Sequence, residues 1–296
     1  IIFFLLTDLA NVDPMYQFSL DSYVALFQTS VDKSGKSDEL VERIKNLNEY
    51  HTYNVYRSTC RSLFEAHKLL FAFQICVKVL QGAGKINMEE YDFFLRGGQV
   101  FDKSAQPTNP CSDWISEVTW DHLTELDKLP NFSNLIASIE SSAPDWREWY
   151  FHPEPETAAA RLPGEWENRC SELQRLILVR CLRPDRIVFA TTNFVVSNLG
   201  SRFTEPPVLD LGSVVADSKP AQPLIFVLSP GVDPTTQLMQ LSAQRGVPFH
   251  SVALGQGQSP HAMTLIEKGL VHGHWVLLAN CHLMISWLTE LDKMVE

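Results

Sequence analysis

The hydrophobic period of this chain changes at residue 224. Leu224-Ile225-Phe226-Val227-Leu228 is an uninterrupted apolar run between Pro223 and Ser229-Pro230-Gly231, the pattern expected of a strand buried on both faces. Beyond it the patterns alternate. A helix is expected over 234–245, a strand over 249–254, a helix over 260–270, a strand over 275–279 and a last helix from near Ser286. Strands and helices alternating at these lengths predict βαβ units and a parallel sheet.

Upstream, apolar residues recur at helical spacing from Met15 to about Glu90: Phe18, Tyr23, Leu26 and Phe27, then Leu40, Ile44 and Leu47, then Cys60, Phe64, Leu69, Leu70 and Phe73. This half reads as amphipathic helices. Ser37 or Asp38 is the expected N-cap after the polar break at 34–38, and Gly82 to Gly84 should stop the longest helix, 62–80. A core helix there should bury both Leu70 and Phe73. A short helix is expected over 88–95. Seven prolines punctuate 99–165, marking short elements around a domain junction, and Trp114, Trp120, Trp146 and Trp149 within it are assigned to packing. Helices are expected over 165–182 and 184–199, with turns over 205–223.

The 296 residues suggest about two domains. Lys and Arg number 24 and Asp and Glu 35, a net charge of -11, with no basic face, so nucleic acid is not an expected partner. The longest aliphatic and aromatic run, residues 1–6, is far below the ~20 needed to span a bilayer. No membrane partner is expected. The six scattered cysteines contain no CxxC pair and read as reduced cytosolic thiols. The chain opens without Met and stops within a helical pattern, and so reads as a piece of a longer polypeptide.

The strand, the Ser-Pro-Gly turn and the helix starting at Thr235-Thr236 occupy the place of a phosphate-binding P-loop. A working loop reads GxxxxGK[ST], with backbone amides and a lysine on the phosphates and a hydroxyl on magnesium. Gly231, Thr235 and Thr236 are retained here. The lysine is not, Asp233 adds a negative charge and Pro234 removes an amide donor. The strand ending at Ala279 should be followed by an acidic pair in a hydrolase, but Asn280-Cys281 stands there.

Four other patterns invite a chemical reading. Cys281 beside His282 could serve a thiol hydrolase, though adjacent residues leaving a strand rarely face each other. His272 and His274 supply two of the three or four ligands a metal needs, and a solvent-exposed turn is the preferred reading. The glycine-rich 254–258 loop fails the dinucleotide fingerprint, because Pro260 stands where its third glycine belongs. Arg180, Arg183, Arg186 and Arg202 could act as arginine fingers, but surface or inter-helix pairing is preferred.

Taken in order, Asp13-Pro14-Met15-Tyr16-Gln17-Phe18-Ser19-Leu20, Cys60-Arg61-Ser62-Leu63-Phe64, Cys181-Leu182-Arg183-Pro184-Asp185, Glu205-Pro206-Pro207, residues 226–234, Leu254-Gly255-Gln256-Gly257-Gln258 and residues 275–283 resemble dynein heavy chains of the axonemal, inner-arm type. The resemblance implies that residues 1–107 are the helical part of the fifth AAA+ module and 108–296 the large part of the sixth. The fold class is then α/β: a helical subdomain followed by an incomplete AAA+, P-loop NTPase-like parallel αβ subdomain, truncated at its C-terminus. In the family's sheet order, 5-1-4-3-2, this chain supplies strands 1, 2 and 3.

The resemblance further implies an ATP-driven motor moving toward microtubule minus ends in a cilium or flagellum, hydrolysing ATP with magnesium mainly outside this segment. Its partners would be neighbouring AAA+ modules, the microtubule, and intermediate and light chains. The segment itself is expected to be non-catalytic and without cofactor, with a vestigial P-loop at Gly231, Asp233, Thr235 and Thr236 and a vestigial acidic pair at Asn280 and Cys281. A nucleotide sensor or atypical NTPase is the alternative.

Overall fold

A computed structural model describes residues 2–98, 103, 106–205, 210–219 and 222–295. It divides into two units, Ile1–Pro207 and Val208–Glu296.

The described part of the first unit is helical: α1 (Ile2–Asp8), α2 (Leu20–Lys33), α3 (Leu40–Cys60), α4 (Glu65–Gly82), α5 (Met88–Arg96), α6 (Glu117–Asp127), α7 (Leu135–Ser141), α8 (Ala143–Phe151), α9 (Trp166–Arg169), α10 (Glu172–Leu182) and α11 (Ile187–Leu199). α2 and α3 pack together, and Arg43 fixes the turn between them. Its guanidinium donates to the carbonyls of Val31 at 2.7 Å and Gly35 at 2.9 Å and to Ser34 Oγ at 2.6 Å, satisfying groups that a helix end leaves free. The expected cap at Ser37 or Asp38 is displaced. Glu39 holds the N-cap position of α3 without a side-chain bond, while Ser37 accepts from the Glu39 amide at 3.2 Å.

On α4, Phe73 is 4% exposed but Leu70 is 38% exposed. The buried face runs through Phe71, Ala72, Phe73, Ile75, Cys76 and Val77, so Leu70 lies one step outside the stripe. The helix expected over 165–182 is two helices, because Ser171 forms a capping box with Gln174 and starts α10 anew. Trp120, Trp146, Trp149 and Trp166 are buried in the core, and Trp114 packs against it. One apolar cluster extends from Leu5 to Phe203. Buried Glu90 of α5 accepts from Asn131 at 2.7 Å and from Gln174 of α10 at 2.8 Å. The expected boundary at 107/108 thus falls inside this unit.

The second unit contains α12 (Leu211–Asp217), α13 (Thr235–Arg245), β1 (Phe249–Ala253), α14 (Ser259–His272), β2 (Trp275–Ala279) and α15 (Ile285–Val295). The strands pair in parallel with Phe249 opposite Trp275 and Ala253 opposite Ala279. Their core is Val252, Leu254, Ala262, Leu265 and Trp287. α14 lies close to β2 because Gly269 has no side chain; a Cβ there would meet the His274 carbonyl oxygen at 3.1 Å and Val276 Cγ2 at 3.2 Å.

Two expectations fail in this unit. Residues 224–228 form no strand, and Ile225 is 84% exposed. Among the described residues the sheet has two strands, and neither pairs with this run, so its apolar side chains have no sheet to join. The stretch expected as turns holds α12, where Asp210 caps the amides of Gly212 at 3.0 Å and Ser213 at 3.1 Å.

Candidate functional site

The loop 229–236 starts as a turn, with the Val232 amide bonded to the Ser229 carbonyl at 3.1 Å and Gly231 at φ 83°. A positive φ of that size suits glycine. α13 then begins at Thr235. Its first amide is occupied from within the chain: Asp233 Oδ1 accepts from Thr235 N at 2.9 Å and from Thr235 Oγ1 at 2.5 Å. These two donors hold the Asp233 carboxyl below the usual carboxylate range. Thr236 is exposed. The structure therefore brings Asp233 and Thr235 together in a closed local contact.

At the exit of β2, Asn280 adopts the left-handed conformation, φ 61° and ψ 35°, and turns the chain into a short 3-10 segment, Cys281–Leu283. The Cys281 thiol donates to the Leu278 carbonyl at 3.3 Å and His282 is exposed, so the pair lacks the thiol–imidazole hydrogen bond of a hydrolase. No hydrogen bond joins Asn280 or Cys281 to 229–236 among the described residues. After β1, the 254–258 loop closes tightly: the Leu254 amide bonds to Ala279 at 2.8 Å and the Gln258 amide to Gly255 at 3.1 Å, with Gly257 at φ 80°.

Three of the four arginines make contacts within the chain. Arg183 binds Asp185 and the carbonyl of His152, Arg186 pairs with Glu156, and Arg202 stacks over Tyr53. No group of three metal-ligating side chains occurs among the described residues. Yet His274 does have a partner that linear reading missed: His250 Nε2 lies 3.1 Å from His274 Nδ1. Only the register of the two parallel strands reveals that juxtaposition. No described helix is long and apolar enough to cross a membrane, and all six cysteines are free.

Residues 219–296 match a family described as the dynein heavy chain region D6 P-loop domain. Across its whole length the chain is 56% identical to "Dynein axonemal heavy chain 2" of Mus musculus and 57% identical to "Dynein-1-beta heavy chain, flagellar inner arm I1 complex" of Chlamydomonas reinhardtii. The chain belongs to the dynein heavy chains. It is also 40% identical to the human "Dynein axonemal heavy chain 1". It spans about 7% of the length of these relatives. Within this dynein heavy chain segment, the loop 229–236 and the β2 exit at Asn280 and Cys281 both lie inside the D6 match.

Proposed function

We propose that this segment is a non-catalytic, force-transmitting part of the AAA+ ring of an axonemal dynein motor. The helical N-terminal part would belong to the fifth module and the P-loop-like part to the sixth. The single observation that carries this reading is the Asp233 carboxylate on the amide and hydroxyl of Thr235, where a phosphate oxygen would need those donors. The other substitutions point the same way. The lysine is absent, Pro234 offers no amide and Asn280 replaces a carboxylate, so the residues do not fit a magnesium nucleotide.

On this reading the role of the segment is mechanical. Packed units pass rigid-body motion from one neighbour to the next, while ATP and magnesium act elsewhere in the parent chain. The parent motor would work on microtubules in a cilium or flagellum with its intermediate and light chains; neither nucleic acid nor membrane is proposed as a partner of this segment. The nucleotide-sensor alternative makes the opposite statement about one residue. In the parent heavy chain, Thr236→Ala should leave microtubule-stimulated ATPase and gliding velocity within about twofold of wild type. A fall of tenfold or more, about 1.4 kcal/mol of barrier, would favour the sensor.

A further inference from the structure

The His250–His274 contact plays no part in the P-loop reading, and it sits at one end of the two-stranded sheet. His250 is the second residue of β1 and His274 immediately precedes β2, so the rings meet where both parallel strands begin. The loops that follow the strands are at the other end. By the alternation of a strand, His250 shares a face with buried Val252, and His274 shares one with Val276 and Leu278 of the small core. The pair therefore continues the apolar stripe out to the sheet end. There the main chain adds the bond from the Trp275 amide to the Pro248 carbonyl, 2.9 Å.

The surroundings of the pair are positive. His272 of α14 lies with its ring centroid 5.6 Å from that of His274, and Lys268 of the same helix also acts on His274. From α13, which packs on β1, Arg245 reaches over the Trp275 ring with its guanidinium 6.0 Å from the centroid. Neither histidine ring donates to a carboxylate among the described residues. Two imidazoles can share a hydrogen bond while the pair carries no added proton or one, because a lone pair then still faces a donor. With a second proton, N–H faces N–H at 3.1 Å and two cations adjoin each other, with Lys268 acting on His274 as well.

We propose that His250 and His274 form a proton-operated latch, closed with at most one added proton and released by a second, which holds the leading ends of β1 and β2 together. Burial and the charges of His250, His272 and Lys268 push the His274 value down, so a proton added at His274 binds below the usual histidine value of about 6.5. The sign follows. The open form binds this proton more readily than the closed form, so closure is favoured above that pH and lost as pH falls through the lowered value.

The test is hydrogen–deuterium exchange of the full heavy chain, read on peptides containing Trp275 and Val276 between pH 7.5 and 5 and corrected for intrinsic exchange. Wild type should show opening that rises about tenfold per pH unit once the second proton binds, as one-proton linkage requires. His250→Gln and His274→Gln each keep a donor and an acceptor but cannot build the second charge, and both should flatten the response. His261→Gln, on an exposed part of α14, should keep it. A wild type without pH-dependent opening, or variants that open as wild type does, would overturn the latch. A sheet already open at pH 7.5 in both pair variants would overturn it too, since glutamine should still hold the strands.

Discussion

One carboxylate oxygen of Asp233 accepts both the backbone amide of Thr235, at 2.9 Å, and its hydroxyl, at 2.5 Å. The contact spans two residues and starts α13 with an anion supplied by the chain. Asp233→Ala should therefore lower the melting temperature of the P-loop-like unit, because the first amide of the helix loses its acceptor. The Asp233 carboxyl is held below its unfolded value, so its contribution is present at neutral pH and lost as pH falls through the lowered value. Melting curves of wild type and variant should converge in strong acid. A constant gap across pH would mean that the carboxylate is not the stabilising group.

The α4 helix allows a paired test. Phe73→Ala should cost about 3–5 kcal/mol, the usual range for emptying a buried phenylalanine site. Leu70→Ala should cost less than about 1 kcal/mol, because much of that side chain already faces solvent. Urea denaturation followed by circular dichroism measures both. Equal losses would show that the helix face has been misassigned.

Gly269 and Gly82 should respond in opposite directions to alanine. At Gly269 the new Cβ meets a backbone carbonyl oxygen at 3.1 Å, and pushing α14 off β2 should cost about 1–3 kcal/mol. At Gly82, the last residue of α4, nothing lies within 4 Å of the new Cβ, and alanine should gain up to about 1 kcal/mol. Thermal melts of the two variants decide this. A stabilising Gly269→Ala would contradict the close approach of α14.

The exposed apolar run 224–228 should make the isolated chain self-associate, since Ile225, Val227 and Leu228 face solvent without a partner strand. Ile225→Lys places a charge within the run, at its most exposed residue. Sedimentation velocity should show less oligomer for the variant than for wild type at equal concentration. No change would locate the association elsewhere.

Legibility of the sequence followed the range of the interactions involved. β2 was readable to the residue, and β1 nearly so, because each is a short segment framed by helix and turn signals, β2 as a continuous apolar run. Residues 224–228 have the same composition, but a strand is made by its neighbours, and the hydrophobic pattern could not say whether any were at hand. The capping box at Ser171 and Gln174 was visible in principle as Ser-x-x-Gln, yet continuous apolar spacing on either side of Cys170 concealed the break. At the candidate site, the missing lysine and the Asn280 substitution were plain in the sequence. The closure of Asp233 onto Thr235 and the meeting of His250 with His274 were not. The first depends on a local side-chain rotamer and the second on strand register, neither of which periodicity records.

Calorimetric titration of the folded chain with magnesium and ATP tests the central claim most directly, with circular dichroism confirming the helical content beforehand. No binding tighter than about millimolar is expected, a standard free energy near -4 kcal/mol, because the first α13 amide is already taken and the loop has no lysine for the phosphates. Micromolar, magnesium-dependent binding that Thr236→Ala abolishes would contradict it.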